Sequence, residues 1–348
     1  MPVVEQNTWR GVGLLPDAPL PGADPSTVSR LLQICPRHGQ TPLHRSAELA
    51  ELSRVRTVWI KDERQRMALG SFKALGAAFA IACDAENAPG EGCATALAGR
   101  TYVTASAGNH GLSVAAGARV FGARAVVYIA DTVAQAFADR LAALGATVVR
   151  QGRDYEASME AAARAASARG WSLLSDSSWE GYTAPALRVM EGYLQLAQEV
   201  AGQIAAPPSH ILLQAGVGGM AAAVAAHARK TWGDAPRVIV VEPAFAPALV
   251  ESIRAGALVT ASGPVSGMGR LDCKTPSLVA LAGLSRDADQ FATITEAEAE
   301  AGVSVLARLG FATTPSGGAG IAALLAGLDL GPEAQVLTIL SEGPQDAE

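Results

Sequence analysis

The chain has 348 residues, of which 49% are apolar and 17% charged, and a formal net charge of -6. This composition provides a large core and excludes a disordered chain. The acidic balance, with no basic cluster interleaved with aromatics, excludes a nucleic-acid partner. No apolar run reaches the roughly 18 residues of a membrane span, and MPVVEQNTWRG lacks a basic-then-apolar leader. Cys35, Cys83, Cys93 and Cys273 have no metal-ligand spacing. A cytoplasmic protein with reduced thiols and no bound metal is expected.

The first 45 residues are rich in Pro and Gly and are expected to wrap the surface. Strands and helices then alternate. RTVWIKDE (56–63) reads as a strand and FKALGAAFAIAC (72–83) as a helix. TYVTAS (101–106), RAVVYIA (124–130), ATVVRQG (146–152) and WSLLSD (171–176) read as strands. Between them lie helices at 108–122, 131–145 and 154–170. A single long helix is predicted over 186–204, then strand HILLQAG (210–216), a helix at 218–233 and strand RVIVVEP (237–243). Helices at 295–310 and 318–328 precede a last strand, VLTILSEG (336–343). Short apolar strands separated by amphipathic helices imply parallel sheets with right-handed crossovers. Ligands in such folds bind beyond the carboxyl ends of strands. Four strands end in small or polar residues, at KDE after Ile60, SAGNHG from Ser106, AGVGGM from Ala215 and SEG from Ser341. These loops are expected to converge on one cleft.

Gly216-Val217-Gly218-Gly219-Met220 follows a strand and opens an Ala-rich helix. Glycines let backbone N–H groups approach an anion, and the helix N-terminus favours negative charge, so phosphate is the natural guest. The same loop fits the relaxed dinucleotide pattern G-x-G-x-x-A, with Glu242 ending the next strand where a ribose-binding acid would sit. A nicotinamide-dependent oxidoreductase is therefore a second reading of the loop, and a tight turn without ligand a third.

The run SFKALGA places one lysine, Lys73, among small and apolar neighbours. An ammonium in such surroundings loses hydration, which lowers its pKa and suits it to act as a nucleophile or base. A Schiff base with an aldehyde cofactor is one such use; a lysine whose stem packs on the helix while its head reaches water is the plain alternative.

KDE-x-x-R followed by SFKALGA resembles the pyridoxal-phosphate (PLP) enzymes of fold type II. The resemblance is closest to the diaminopropionate ammonia-lyase branch, with the serine/threonine dehydratases as relatives. TASAGNHG, SDSSWEGY with the following MEGY, QAGVGGMAAAV and ILSEG match the family's motifs in order and spacing. The resemblance implies two α/β domains, each with a mostly parallel twisted sheet flanked by helices and with PLP in the cleft between them. Residues 1–82 with 196–348 would form the large domain and 83–195 a small mobile one. It also implies a homodimer.

By that resemblance Lys73 carries PLP as a Schiff base and, once freed by substrate, removes the α-proton. Gly216, Val217, Gly218, Gly219 and Met220 would hold the phosphate. Asn109 would bond the ring hydroxyl oxygen, Phe72 would pack behind the cofactor and Ser341 would face the pyridine nitrogen. A hydroxyl there does not demand a protonated ring, which fits elimination. Ser106, Ala107, Gly108 and His110 would receive the substrate, its carboxylate on the backbone amides at the helix start; His110 reads as structural in its side chain. Asp176 would contact a cationic β-amino group or act as a second acid/base. The ammonia-lyases carry an aspartate where this chain has Ala107, a departure that points toward the dehydratases. In GMGRLDCKTPS, Arg270 or Lys274 could read an acidic side chain on the substrate. The expected reaction is α,β-elimination from a small amino acid, most simply L-2,3-diaminopropionate giving pyruvate and ammonia. A serine, threonine or other hydroxy-amino-acid dehydratase is the alternative.

Overall fold

The computed structural model describes residues 1–88 and 92–344. In chain order the elements are β1 (Val3–Gln6), α1 (Ser26–Leu32), β2 (Leu43–Ser46), α2 (Ala47–Leu52), β3 (Thr57–Asp62), α3 (Lys73–Glu86), β4 (Thr101–Ala105) and α4 (Asn109–Val120). Then come β5 (Arg124–Ile129), α5 (Gln135–Ala143), β6 (Thr147–Arg150), α6 (Tyr155–Arg169), β7 (Ser172–Leu173), α7 (Ala184–Gly192) and α8 (Leu194–Gln203). The chain continues with β8 (His210–Gln214), α9 (Gly219–Trp232), β9 (Arg237–Pro243), α10 (Ala248–Ala255) and α11 (Leu278–Asp287). It finishes with β10 (Gln290–Ile294), α12 (Glu296–Arg308), α13 (Ala319–Leu325) and β11 (Gln335–Leu340).

Among the described residues these strands form two sheets. One has the order β1-β10-β9-β8-β11-β3-β2, the other β6-β5-β4-β7. The smaller sheet is parallel throughout. The larger is parallel except at its rims, where β1 pairs antiparallel with β10 and β2 with β3. Its central strands β8, β9 and β11 are rich in Ile, Val and Leu and buried on both faces, as helix-covered parallel strands must be.

Two departures from the sequence reading shape the molecule. The N-terminal region is not only a surface wrap. It contributes both antiparallel edge strands, and α1 buries Val28, Leu31 and Leu32. The helix expected over 186–204 is two helices meeting at Tyr193. Close packing accounts for the break. A Cβ on Gly192 would lie 2.5 Å from the Leu75 carbonyl oxygen, and one on Gly76 would lie 2.7 Å from the Tyr193 ring. Paired glycines thus let α7 press onto α3, and Tyr193 turns inward beneath the first turn of α3. The segment 244–294, unassigned from sequence, supplies α10, α11 and β10.

Candidate functional site

Lys73 is the first residue of α3. The turn before it is fixed to the end of β11. Phe72 N donates to the Ser341 carbonyl at 3.1 Å, and Ser71 bridges Glu342. Ser341 N in turn donates to the Gly317 carbonyl at 3.1 Å. The sequence motifs SFK and SEG, far apart in the chain, are therefore adjacent in space.

The Lys73 ammonium forms an ion pair with Asp176, just beyond β7. Burial works to lower the lysine's pKa, but the Asp176 carboxylate outweighs it and the net displacement is upward. Burial works to raise Asp176, and Lys73 with His110 holds it well below the usual carboxylate range. Two aromatic rings flank the amine: its Nζ lies 5.3 Å from the Phe72 centroid and 5.9 Å from that of Tyr193. The rings pack edge to face at 4.9 Å. Asp176 is held through its neighbour Ser178, whose amide donates to Ser277 Oγ at 3.1 Å and whose Oγ accepts from Val279 N at 2.9 Å. Ser277 N also donates to the Val217 carbonyl, tying α11 to the glycine loop.

That loop joins β8 to α9. Gly218 has φ +95°, a conformation that favours glycine. A Cβ there would lie 3.0 Å from Ala280 Cβ, and one on Gly216 would lie 3.0 Å from Cys273 Sγ. At Gly219 a Cβ would meet only ordinary contacts, Tyr193 at 3.6 Å and the Asp176 carbonyl at 3.9 Å. The glycine loop, Asp176, Tyr193 and Lys73 thus share one site. The first amides of α9 have no intrahelical acceptor and suit an anion.

On the side of the smaller sheet, Ser106 is committed to shaping its own loop, its Oγ accepting from Gly108 N at 3.2 Å and Gly111 N at 3.0 Å. Ala107 is exposed. Asn109 opens α4 and donates its side-chain amide to Glu342. The His110 ring is buried and its Nε2 bonds the Leu174 carbonyl at 2.8 Å. Burial pushes its pKa down, with Asp176 opposing this and Lys73 adding to it.

Three of the four strand-end loops therefore converge, and KDE does not. Lys61 Nζ bonds Glu199 at 2.7 Å, Gln203 at 2.9 Å and the Thr41 carbonyl at 2.8 Å. Arg66 pairs with Glu63 and Glu199 in the same buried cluster. These charges pin the β3 turn to α8 and leave the cleft. Glu242 is likewise unavailable as a ribose ligand: it is buried, and its two oxygens accept from Leu249 N and Val250 N at 2.8 Å each, capping α10. Lys274 is neutralised by Asp272 at 2.6 Å and bonds two carbonyls, whereas Arg270 reaches the Ala107 carbonyl at 2.6 Å. The sequence reading missed Glu342, Tyr193, Ser178 and Ser277. All four lay inside the motifs SEG, MEGY, SDSSWEGY and GMGRLDCKTPS.

The residues fit a phosphorylated aldehyde cofactor. A lysine amine, two aromatic rings and the free amides of a helix start lie beside one another. In addition, the buried Tyr193 hydroxyl has no hydrogen-bond partner among the described residues. Comparison with known proteins decides the family: the model for "Pyridoxal-phosphate dependent enzyme" matches residues 34–342. The chain belongs to the pyridoxal-phosphate dependent enzymes.

Its cofactor is pyridoxal phosphate and its fold is type II. Within this family it is a lyase related to the diaminopropionate ammonia-lyases. It is 32% identical to that enzyme from Escherichia coli over 340 residues, covering 88% of this chain and 85% of the relative. The crystal structure of the Escherichia coli enzyme with an aminoacrylate-PLP azomethine intermediate superposes with a TM-score of 0.86 at 28% identity. That match covers 99% of this chain and 94% of the other. The L-serine dehydratase/L-threonine deaminase of Mus musculus is 30% identical over 229 residues, 64% of this chain and 63% of the relative. Among the described residues, no helix of this PLP enzyme is long and apolar enough to cross a membrane.

Proposed function

We propose that the protein releases ammonia from L-2,3-diaminopropionate by α,β-elimination, giving pyruvate and two ammonia molecules with consumption of one water. The observation that carries this reading is the pairing of Lys73 with Asp176 beside the glycine loop, in a chain related over most of its length to ammonia-lyases.

Bound PLP supplies an electron sink for the charge left when the α-proton departs. Lys73 would hold the cofactor, and its free amine would be the base at the α-carbon. Asp176 then faces no lysine charge, and its carboxylate suits the substrate's β-ammonium; it also serves as acid/base for that leaving group. The amides of Gly216 to Met220 would hold the phosphate, and Asn109 and Phe72 would hold the ring. Ser341 would offer a hydroxyl to the ring nitrogen, a partner that does not require that nitrogen to be protonated. Of the Ser106–Ala107–Gly108–Asn109–His110 loop, the Ser106 and Gly108 amides are already bonded within the protein, and the Asn109 and His110 amides at the start of α4 would receive the substrate carboxylate.

The domain division proposed is 1–82 with 196–348 and 83–195; the seven strands of the larger sheet fall in the first set and the four of the smaller sheet in the second. Closure of the smaller domain would exclude water from the carbanion. A cytoplasmic homodimer is the assembly and location this reading carries with it.

Ala107 favours a second reading, a dehydratase for serine, threonine or a related hydroxy-amino acid. Product assays separate the two. The ammonia-lyase reading expects pyruvate and two equivalents of ammonia from L-2,3-diaminopropionate, and weak turnover of the D-isomer. Turnover of L-serine or L-threonine without turnover of diaminopropionate would establish the dehydratase instead.

A further inference from the structure

Arg270 lies between the two anion-binding loops. Its backbone carbonyl sits against the glycine loop, 3.2 Å from where a Cβ on Gly216 would be. Its backbone amide is fixed by Ser316 Oγ at 3.0 Å. Its side chain crosses to the smaller sheet, where Nη1 donates to the Ala107 carbonyl at 2.6 Å. The guanidinium rests on the bare Cα of Gly108, since a Cβ there would stand 2.5 Å from Nη1 and 3.1 Å from Cζ.

The guanidinium has five N–H donors. Its Nε is buried and without a hydrogen-bond partner among the described residues. No carboxylate forms an ion pair with it among them, while its neighbour Lys274 is matched by Asp272. A partly buried arginine with an unused donor and no counter-ion calls for an anion. The adjacent surface already favours one. Ser106 Oγ occupies the amides of Gly108 and Gly111, and the Asn109 and His110 amides, in the first turn of α4, have no intrahelical acceptor. Guanidinium and amides therefore meet at the turn that opens α4.

We propose that Arg270 binds the α-carboxylate of the substrate together with the first amides of α4, as a specificity-determining residue that selects amino acids with a free carboxylate. This rests on the lyase reading of the site. In that arrangement Asp176 and Arg270 receive the two opposite charges of a substrate bearing both a β-ammonium and a carboxylate.

The test compares holoenzyme of the wild type, R270A and R270K. Substrate binding is read from the perturbation of the visible cofactor band, turnover from pyruvate, and cofactor content and thermal midpoint as controls. For L-2,3-diaminopropionate, R270A should bind about 10- to 100-fold more weakly, with kcat changed far less and cofactor content unaltered; R270K should recover part of the loss. With 2,3-diaminopropionamide, which lacks the carboxylate charge, wild type and R270A should bind alike. Unchanged binding in R270A, an equal loss on the carboxamide, or a loss confined to amino acids with a second carboxylate would each overturn the assignment while leaving the lyase intact. A wild-type cofactor band that no amino acid perturbs would overturn the lyase reading and this assignment with it.

Discussion

Asn109 at the start of α4 donates its side-chain amide to Glu342 just beyond β11, joining the loop after β4 of the smaller sheet to the end of a central strand of the larger. The other carboxylate oxygen of Glu342 accepts from Thr314, and its backbone oxygen accepts from Thr313 at 2.6 Å. Asn109 is thus held by a residue whose own position is doubly fixed. E342A frees the asparagine and removes a charge-assisted bond, so PLP should bind about tenfold more weakly. E342Q keeps an acceptor and should lose less. Titration of the visible cofactor band checks both, and an N109A/E342A double variant should lose less than the sum of the singles.

Asp176 raises the pKa of the Lys73 ammonium in the cofactor-free chain, against the effect of burial. Only the unprotonated amine attacks the cofactor aldehyde, so uptake of PLP by the apoprotein should accelerate as pH rises. D176N removes the countercharge and leaves burial to lower the lysine. Uptake near pH 7 should then be about tenfold faster and less dependent on pH, while turnover of diaminopropionate falls. Stopped-flow absorbance on the apoproteins measures this; slower uptake in D176N would contradict the electrostatic account.

Burial works to raise the Glu199 carboxyl, but the Arg66 guanidinium and Lys61 outweigh it and hold it at about 2. The unfolded value is 4.5, so the folded state favours the ionised form. The stability this contributes is present above pH 4.5 and is lost as pH falls toward about 2. E199Q leaves Lys61 and Arg66 with two buried positive charges against Glu63 alone. It should cost on the order of 3–5 kcal/mol, read as a lowered urea midpoint at neutral pH, with a shallower loss of stability on acidification.

Gly218 and Gly219 separate fold from binding. G218A puts a methyl at φ +95° and 3.0 Å from Ala280 Cβ, so it should destabilise the apoprotein by about 1–3 kcal/mol. In G219A the methyl meets only ordinary contacts at 3.6 Å or more. The apoprotein should keep its thermal midpoint, and the methyl at the rim of the anion site should weaken PLP binding about tenfold. An equal loss of stability in both variants would argue against this loop as the phosphate cradle.

The parallel core was legible because β8, β9 and β11 are short, mostly apolar runs, two of them leading into glycine or serine loops, and that pattern is local. The edge strands β1 and β2 are four residues each, in a Pro- and Gly-rich region; β1 pairs only with the distant β10, and β2 with β3 beyond the short helix α2. Tyr193 breaks a stretch whose amphipathic pattern continues across it; the cause lies in α3, more than 100 residues away in sequence. Lys73, Asn109 and the glycine loop were visible as motifs. What holds them was not. The bond from Asn109 to Glu342 spans 233 positions and that from Ser178 to Ser277 spans 99. The KDE block looked like part of the cleft because a charged strand end reads the same whether its charges meet a ligand or each other.

The most direct test is the visible absorbance of the purified wild type and of K73A, before and after addition of L-2,3-diaminopropionate. The account predicts a cofactor band in the wild type that K73A lacks, perturbed by the L-isomer as pyruvate accumulates. A wild type without such a band, or a K73A variant that keeps it and still forms pyruvate, would contradict the assignment of Lys73 as the residue on which this enzyme works.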